Sequence, residues 1–330
     1  MKGFLSVSLR YLVNVESLNG VESVGNISRH RVAPVVLPVG KGYAVKYVPV
    51  VSGESIAHAY QSILVEEAMS RNLPVGKRSS IREFIKYADE GIVKDEGLTP
   101  PSKVDEMRKF EVDVMLHDVI ADVGGFLYAG KTQVKPVKRT SAFSVSYMIP
   151  AYDSDSETAA LEAQFHVRMT PSNPKEGGQI PYTVEVGSAI YTLTFNIDLD
   201  HIAKPSNFGD PVLGEKDLLA QRDKRIEASV SSAMRLLENL EFGAKRSRFS
   251  PIFNLLSAVV VRTDKPFSAT PGTYRDYVFD TTARAESLRN EKVLTKVKIV
   301  ALNPKEQLQI PEGITVKPTI SSALGEALKE

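Results

Sequence analysis

The feature that most constrains the fold is an alternation of apolar and polar residues between Lys2 and Glu16. Successive side chains of a β-strand point to opposite faces, so this alternation predicts a strand with one buried and one solvent-facing side. The apolar face holds Leu5, Val7, Leu9, Tyr11, Val13 and Val15, and the other face holds Ser6, Ser8, Arg10 and Asn14. The pair Asn19-Gly20 is a strong turn signal and predicts that the strand ends before it.

Periodicity along the rest of the chain predicts two long helices and further strands. The first helix is expected from Ser52, a residue suited to cap it, to about Asn72, with Ile56, Tyr60, Ile63 and Ala68 buried. The second is expected from Glu215 to Glu241, with a stripe of Leu219, Ile226, Val230, Ala233, Leu237 and Leu240. Strands follow at 258–262 and 293–302. The order strand, helix, strand, strand, helix, strand is the βαββαβ pattern of α+β, ferredoxin-like and RRM-like domains.

Large insertions interrupt that pattern. A hairpin is expected near 35–51, around Gly40 and Gly42, and a charged lobe with helices at 80–89 and 104–121 is expected within 73–128. Residues 171–181, rich in Pro and Gly, separate two strand-like segments and predict the tip of a protruding hairpin. The core would then comprise 1–72, 129–170 and 182–330, with 73–128 inserted.

Charge is balanced overall but unevenly distributed. The net charge is +1, yet 23–53, 123–152 and 242–263 each contain four Lys or Arg and no acid, whereas 54–122 contains 14 acids. Such acid-free windows can form a local positive track. The chain has no cysteine, which excludes disulfides and thiolate metal sites. No apolar run is long enough to cross a bilayer, so we expect a cytoplasmic protein without membrane contact.

The loop after the second helix has two interpretations. It contains Gly243 and the cations Lys245, Arg246 and Arg248, with no acid. Backbone amides and cations of this kind suit a phosphate chain. Cations are also favoured at the C-terminal end of a helix, and taken alone the loop composition favours this cap over a ligand site.

Taken together, the motifs resemble the CRISPR-associated backbone subunit of archaeal type I-A Cascade complexes, in the DevR-related RAMP superfamily. The resemblance covers most of the chain and is carried by four segments: 6–19, 51–58, 138–141 and 243–249. It implies a ferredoxin-like palm with a helical finger at 73–128 and a thumb at 171–181. It also implies that copies polymerise along a guide RNA (crRNA), which base-pairs with target DNA, beside other CRISPR surveillance-complex subunits.

The resemblance also implies which residues contact RNA. They are Asn19, Arg29, His30, Arg31, Ser52, Ser55, His58, Lys138, Arg139, His166, Gln179, Ile180, Gly243, Lys245, Arg246 and Arg248. Gly243 would allow close approach of the guide, and Gln179 and Ile180 would form the thumb tip. For His166, a structural role within a strand is as consistent with the sequence as an RNA contact.

Two other functions fit the sequence. Relatives in type III complexes cut target RNA with an acidic loop residue, and Glu16 or Glu22 would be the candidate here. The second alternative function is that of a non-catalytic structural adaptor. Asp118 and Asp122, with His117 nearby, could share a helix face, but no further ligand has a recognisable spacing. We therefore expect no enzyme activity, cofactor or metal.

Overall fold

The structure is a computed structural model that describes residues 2–130, 136–152, 159–169, 179–243, 247, 249–303, 305–306 and 308–329, without the side chains of 21–24, 168–169 and 179–180. The described strands are β1 (Phe4–Glu16), β2 (Gly20–Val24), β3 (Ile27–His30), β4 (Val32–Val39), β5 (Gly42–Pro49), β6 (Phe126–Tyr128), β7 (Val137–Arg139), β8 (Phe143–Val145), β9 (Ile149–Pro150), β10 (Ala159–Met169), β11 (Gln179–Asp198), β12 (Ile252–Thr263), β13 (Val297–Leu302) and β14 (Thr315–Val316). The described α-helices are α1 (Gly53–Ser70), α2 (Lys77–Ser80), α3 (Glu90–Asp95), α4 (Met107–His117), α5 (Val119–Gly124), α6 (Glu215–Ala220), α7 (Arg222–Asn239), α8 (Tyr277–Asn290) and α9 (Ile320–Leu328).

A central sheet organises these elements, and β1 lies in its middle. β1 pairs antiparallel with β11 on one side and with β12 on the other. The sheet continues through β13 and β14 beyond β12, while β3, β8, β9 and β10 pair with β11. Residues of α1, α7 and α9 share one core with one face of the sheet, and α8 belongs to a second core on the opposite face. The architecture is therefore mixed α and β, with a sheet covered by helices.

The expectation that β1 is half-buried is wrong. Ser6, Ser8 and Arg10 are all fully buried, because α8 and the chain before it cover the face they lie on. Arg10 is neutralised there: its Nε donates to Glu306 Oε1 over 3.1 Å and its Nη1 donates to the Gly272 carbonyl over 2.8 Å. A register shift after Val13 also turns Val15 outward and Glu16 inward.

The two long helices match the sequence pattern, with one exception. Ser52 caps α1 as predicted, since its Oγ accepts a hydrogen bond from the Ser55 amide over 3.2 Å. The second predicted helix is divided at Gln221 into α6 and α7. The break changes the exposed face, so Leu219 is exposed and Leu218 is buried in its place.

The inserted lobe is less helical than predicted. The helix expected at 80–89 is wrong, because α2 ends at Ser80 and Arg82, Lys86 and Tyr87 have positive φ angles that a helix does not allow. The helix expected at 104–121 is interrupted at Asp118, whose Oδ1 accepts a hydrogen bond from the Ile120 amide and caps α5.

Both predicted hairpins are present. β4 and β5 pair antiparallel around Gly40, and β10 and β11 pair antiparallel from Ala159–Ala189 to Met169–Gln179. The expected tip at 171–181 is too long: Gln179 and Ile180 already belong to β11, and 171–178 lie outside the described residues. Among the described helices, none is long and apolar enough to cross a membrane.

Candidate nucleic-acid interface

A groove of about 560 Å³ opens between α1, the connection from β1 to β2, and the chain that leaves α7. Four of the predicted RNA contacts line it: Asn19, Ser55, His58 and Gly243. They come from three segments that are far apart in sequence: the β1–β2 connection, α1 and the chain after α7. Gly243, which lines the groove, is the residue directly before the basic loop in the sequence.

Asn19 and Ser52 form the connection between the β1–β2 segment and α1. The Oδ1 atom of Asn19 accepts a hydrogen bond from the Ser52 amide over 2.6 Å, so one side chain fixes the start of the helix against the end of the strand. Ser52 itself is buried. It acts as a cap and offers no surface to a ligand.

Ser55 and His58 lie on the face of α1 that lines the groove. Residues three and four apart on a helix are neighbours, and Ser55, His58 and Ser62 follow this spacing. The imidazole of His58 is exposed and packs edge-on against Phe84, with ring centroids 5.0 Å apart. Hydroxyls and an exposed imidazole can donate to phosphate or ribose oxygens.

Gly243 is needed for packing within the protein. Its φ is +107°, and a Cβ atom there would lie 2.8 Å from the Cα and 3.0 Å from the carbonyl oxygen of Leu18. The glycine therefore lets the chain after α7 pass close to the β1–β2 connection, and the predicted reason, close approach of RNA, is not required. Lys245, Arg246 and Arg248 lie outside the described residues.

One wall of the groove is formed by an ion-pair network that the sequence does not predict. Glu66 binds Arg82 over 2.9 Å and Arg235 over 2.8 Å, and Arg235 also binds Glu67 over 2.8 Å. The hydrogen bond from Arg235, reinforced by Arg82, lowers the pKa of Glu66. Both arginines keep more than a third of their side chains exposed, so the network holds them in place while some of their donors face water. No local pattern links positions 66, 82 and 235, and only the fold brings them together.

Arg139 was predicted to contact RNA, and the structure contradicts this. Its side chain is fully buried, with Nη2 2.5 Å from Asp122 Oδ1 and Nη1 3.1 Å from Glu111 Oε1. Arg225 binds the other Asp122 oxygen over 2.8 Å. Arg139 therefore joins the inserted lobe to the rest of the protein. Lys138, its neighbour in β7, points the other way and is exposed.

His30 was likewise predicted to contact RNA and is buried. Its Nε2 lies 2.6 Å from Glu16 Oε1, and its Nδ1 lies 2.8 Å from the Arg31 carbonyl. Arg29, on the opposite face of β3, is exposed, and Arg31 is half-buried. Arg29 and Arg31 therefore remain available to contact RNA beside the β1–β2 connection that lines the groove, whereas His30 does not.

His166 lies within an aromatic cluster toward the distal end of the β10–β11 hairpin, where it pairs with Tyr182. Its ring stacks on Tyr182 at 5.3 Å between centroids and meets Phe249 edge-on at 5.9 Å. Its Nε2 is buried without a hydrogen-bond partner among the described residues. Since Phe249 follows the basic loop in sequence, this contact attaches the distal part of the hairpin to the residue after that loop.

Comparison with known proteins identifies the family. Residues 7–282 match the model described as CRISPR-associated negative auto-regulator DevR/Csa2. The chain belongs to this DevR/Csa2 family. It is 48% identical over 316 residues to the CRISPR-associated aCascade subunit Cas7/Csa2 2 of Saccharolobus solfataricus, covering 96% of this chain and 97% of the relative. A second protein of that organism, CRISPR-associated protein Cas7/Csa2 1, is 38% identical over 299 residues, covering 88% and 90% of the two chains.

Solved structures support the fold of this DevR/Csa2 protein. A chain of a CRISPR RNA-guided surveillance complex superposes with a TM-score of 0.54 over 98% of this chain and 97% of the other, at 11% identity. A chain of such a complex in a pre-nicking state gives 0.53 over 98% and 100%, also at 11% identity. At this identity the likeness concerns the fold alone.

The acidic residues considered for catalysis or metal binding have other partners. Glu16 is buried against His30 and Tyr191, so it does not face the groove. Glu22 lies in β2, and its side chain is not described. Asp118 accepts a hydrogen bond from Ser79 over 2.6 Å, Asp122 binds two arginines, and His117 binds Glu96 over 2.8 Å. The three residues considered for a metal are thus engaged in separate contacts.

Proposed function

We propose that this protein binds the backbone of a guide crRNA and polymerises along it to form the spine of an RNA-guided surveillance complex. The observation that carries the proposal is the groove, where Asn19, Ser55, His58 and Gly243 meet at the start of an acid-free basic loop. Membership of the DevR/Csa2 family and the named Cas7/Csa2 relatives support it. Target DNA would be recognised by base pairing with the guide, beside other subunits of the complex in the cytoplasm.

The order of strands supports a ferredoxin-like palm. β12, β1 and β11 are adjacent and antiparallel, with β8, β9 and β10 on the far side of β11, and α1 and α7 belong to the same core. In a βαββαβ unit of this kind, the second strand would be divided into the short pieces β8 and β9. In this proposal 1–72, 129–170 and 182–330 form the palm and 73–128 the finger, and the thumb tip predicted at 171–181 is confined to the residues before β11, which begins at Gln179.

The proposed RNA contacts among the described residues are Arg29, Arg31, Ser55, His58 and Lys138, the exposed donors of Arg82 and Arg235, and the side-chain amide of Asn19 in the groove wall. The loop cations Lys245, Arg246 and Arg248, which lie outside the described residues, complete the proposed set. Hydroxyl, imidazole and cationic donors bind phosphate and ribose and carry little sequence information. Binding is therefore expected to be nearly independent of sequence and strongly dependent on salt.

The decisive experiment measures RNA affinity as a function of salt. We expect the triple variant Lys245→Ala, Arg246→Ala, Arg248→Ala to bind every RNA sequence more weakly and to reduce the log–log salt slope by about 2, since each lost phosphate contact on a single strand removes about 0.7. Arg289→Ala with Lys292→Ala removes two cations at the end of α8 on the opposite face of the sheet and is the control, whose slope should not change. An unchanged slope in the triple variant would show that the loop is only a helix cap.

We also propose that the protein has no nuclease activity of its own. Burial of Glu16 against His30 supports this, since a buried carboxylate cannot reach an RNA strand. The test is incubation of the guide-loaded protein with complementary RNA and a divalent metal. Cuts at regular intervals that disappear in Glu22→Gln would contradict the proposal.

A further inference from the structure

The groove contains carboxylates as well as donors, although the phosphates of a nucleic acid repel carboxylates. Its charged lining residues are two arginines, Arg82 and Arg235, and two acids, Glu66 and Glu241. Glu66 is accounted for, because one of its oxygens binds Arg82 and the other binds Arg235. Glu241 is exposed and makes no hydrogen bond or ion pair with any described residue. Of the carboxylates described in the groove, only that of Glu241 is thus open to a ligand.

The fold holds Glu241 at a position where its charge is unfavourable. Leu240 and Phe242 on either side of it are buried, so the backbone that carries Glu241 is anchored. α7 ends at Asn239, and an acid directly after a helix interacts unfavourably with the negative end of the helix dipole. Glu238 also lies at this end, but its carboxylate accepts hydrogen bonds from the start of α9. Glu241 has no such partner among the described residues, so neither packing nor helix stability explains its carboxylate.

The backbone of RNA offers a carboxylate one kind of hydrogen-bond donor, the ribose 2′-hydroxyl. Phosphate oxygens only accept hydrogen bonds, and the donors on the bases differ from one base to the next, so a carboxylate that used them would make binding depend on sequence. The 2′-hydroxyl is present on every RNA nucleotide and distinguishes RNA from DNA. A hydrogen bond from a hydroxyl to an ionised carboxylate is also short and strong. The 2′-hydroxyl is therefore the ligand group that suits Glu241 in a groove that binds RNA of any sequence.

Asn19 supplies a donor at the same end of the groove. Gly243 packs directly on Leu18, and this contact brings the chain around Glu241 beside the β1–β2 connection that carries Asn19. The Oδ1 atom of Asn19 accepts a hydrogen bond from the Ser52 amide, which fixes the side chain, while its Nδ2 donates to no described residue. A hydroxyl both donates and accepts hydrogen bonds. A carboxylate and an amide at one end of the groove therefore match both functions of a ribose hydroxyl.

We infer that Glu241 accepts a hydrogen bond from a ribose 2′-hydroxyl of the bound strand and thereby selects RNA over DNA. The inference rests on the proposed function and assigns a specificity-determining residue within the same groove. Deoxyribose leaves the carboxylate without a donor beside the phosphate charges, which disfavours DNA. The cations of the site cannot make this distinction, because RNA and DNA carry the same phosphates.

Oligonucleotides of one sequence in three chemistries test the inference. RNA carries the 2′-hydroxyl, 2′-fluoro-RNA keeps an RNA-like sugar conformation but cannot donate from this position, and DNA lacks the group. Each strand is too short for two copies of the protein, so that avidity does not multiply the preference. We expect wild type to bind RNA roughly tenfold or more tightly than either of the others, the scale of one hydrogen bond to a charged group. Equal binding of RNA and 2′-fluoro-RNA by wild type would overturn the inference.

Substitutions of Glu241 remove its charge and its acceptor atoms in turn. Glu241→Ala removes both, so its preference for RNA over 2′-fluoro-RNA should disappear. Glu241→Gln keeps one acceptor oxygen without the charge, so it should bind DNA more tightly than wild type does and keep part of the preference. Glu227→Gln removes an exposed acid of α7 that does not line the groove, and this charge-matched control should keep the wild-type preference. If Glu241→Ala changes the affinities for RNA and 2′-fluoro-RNA equally, the carboxylate only adjusts the charge of the groove and the inference is wrong.

The same measurements separate this inference from the proposed function. If wild type binds all three oligonucleotides equally, the proposed function stands and the inference fails. If wild type binds none of them, both fail. Repeating the titrations with EDTA in place of Mg²⁺ tests a metal bridge between Glu241 and phosphate. We expect the preference for RNA to be unchanged in EDTA, and its loss there would assign the carboxylate to a metal ion and overturn the inference.

Discussion

Glu16 Oε1 lies 2.6 Å from His30 Nε2, and both side chains are fully buried. The sequence suggested separate roles for these residues, a catalytic acid and an RNA contact. Tyr191 also donates to Glu16 over 2.8 Å, and the Leu18 amide donates to it over 2.6 Å. The pair therefore joins β1, β3 and β11 beneath the groove, and it shapes the site without touching a ligand.

The pair predicts a pH dependence of stability. Burial opposes the charge on His30, but the hydrogen bond and charge of Glu16 outweigh it and raise the His30 pKa; conversely His30 lowers the Glu16 pKa. The His30 contribution is complete below its unfolded pKa of about 6.5 and is lost as pH rises through the folded pKa. The Glu16 contribution is complete above about 4.3 and is lost as pH falls through the lowered pKa.

We therefore expect the free energy of unfolding to fall between pH 6 and pH 9 by more in wild type than in His30→Gln. At pH 6 that variant should be less stable by about 3–5 kcal/mol, because it leaves Glu16 buried and unpaired. Denaturant unfolding at both pH values measures both effects. Equal pH dependence in the two proteins would show that the pair is not ionised.

Lys138 and Arg139 are neighbours that should give opposite results. Arg139→Ala leaves Glu111 and Asp122 buried without their shared partner and should cost about 3–5 kcal/mol of stability. Lys138→Ala should change stability by less than about 0.5 kcal/mol, because its side chain is exposed. RNA affinity measured on folded protein should fall for Lys138→Ala. A stable Arg139→Ala variant that has lost RNA binding would contradict this assignment.

Gly243 and Gly325 provide a matched pair of glycine substitutions. Gly243→Ala places a Cβ against Leu18 at a positive φ and should cost about 1–3 kcal/mol. Gly325 lies within α9 with no atom within 4 Å of the added Cβ, so Gly325→Ala should stabilise by about 0.5–1 kcal/mol. Denaturant unfolding compares them. A neutral Gly243→Ala variant would mean that the chain after α7 does not pack on Leu18.

Substitutions of His166 test whether its aromatic contacts or its polar atom matter near the distal end of the β10–β11 hairpin. His166→Phe keeps the ring contacts with Tyr182 and Phe249 and removes a buried nitrogen that has no partner among the described residues, so stability and RNA affinity should be retained. His166→Ala loses the stacking and should lower RNA affinity, because the hairpin is no longer attached to the end of the basic loop. Weaker RNA binding by His166→Phe alone would instead identify the imidazole as an RNA contact.

The sequence by itself determined the features that depend on local periodicity and turn chemistry. The alternation placed β1, Ser52 placed the start of α1, and the glycines around Lys41 placed the β4–β5 hairpin. The short motifs also identified the family by resemblance, because the order of motifs along the chain can be read without knowing how the chain packs.

The tertiary structure decided which polar side chains are available. Arg139 and His30 carry the charges that suit RNA, but their partners Asp122, Glu111 and Glu16 are distant in sequence or across a strand, and no local pattern reveals them. The same holds for β1, whose polar face is buried by α8 from the other end of the chain. Burial and charge pairing arise from contacts between remote segments, and for that reason only the fold could distinguish the groove residues from the structural ones.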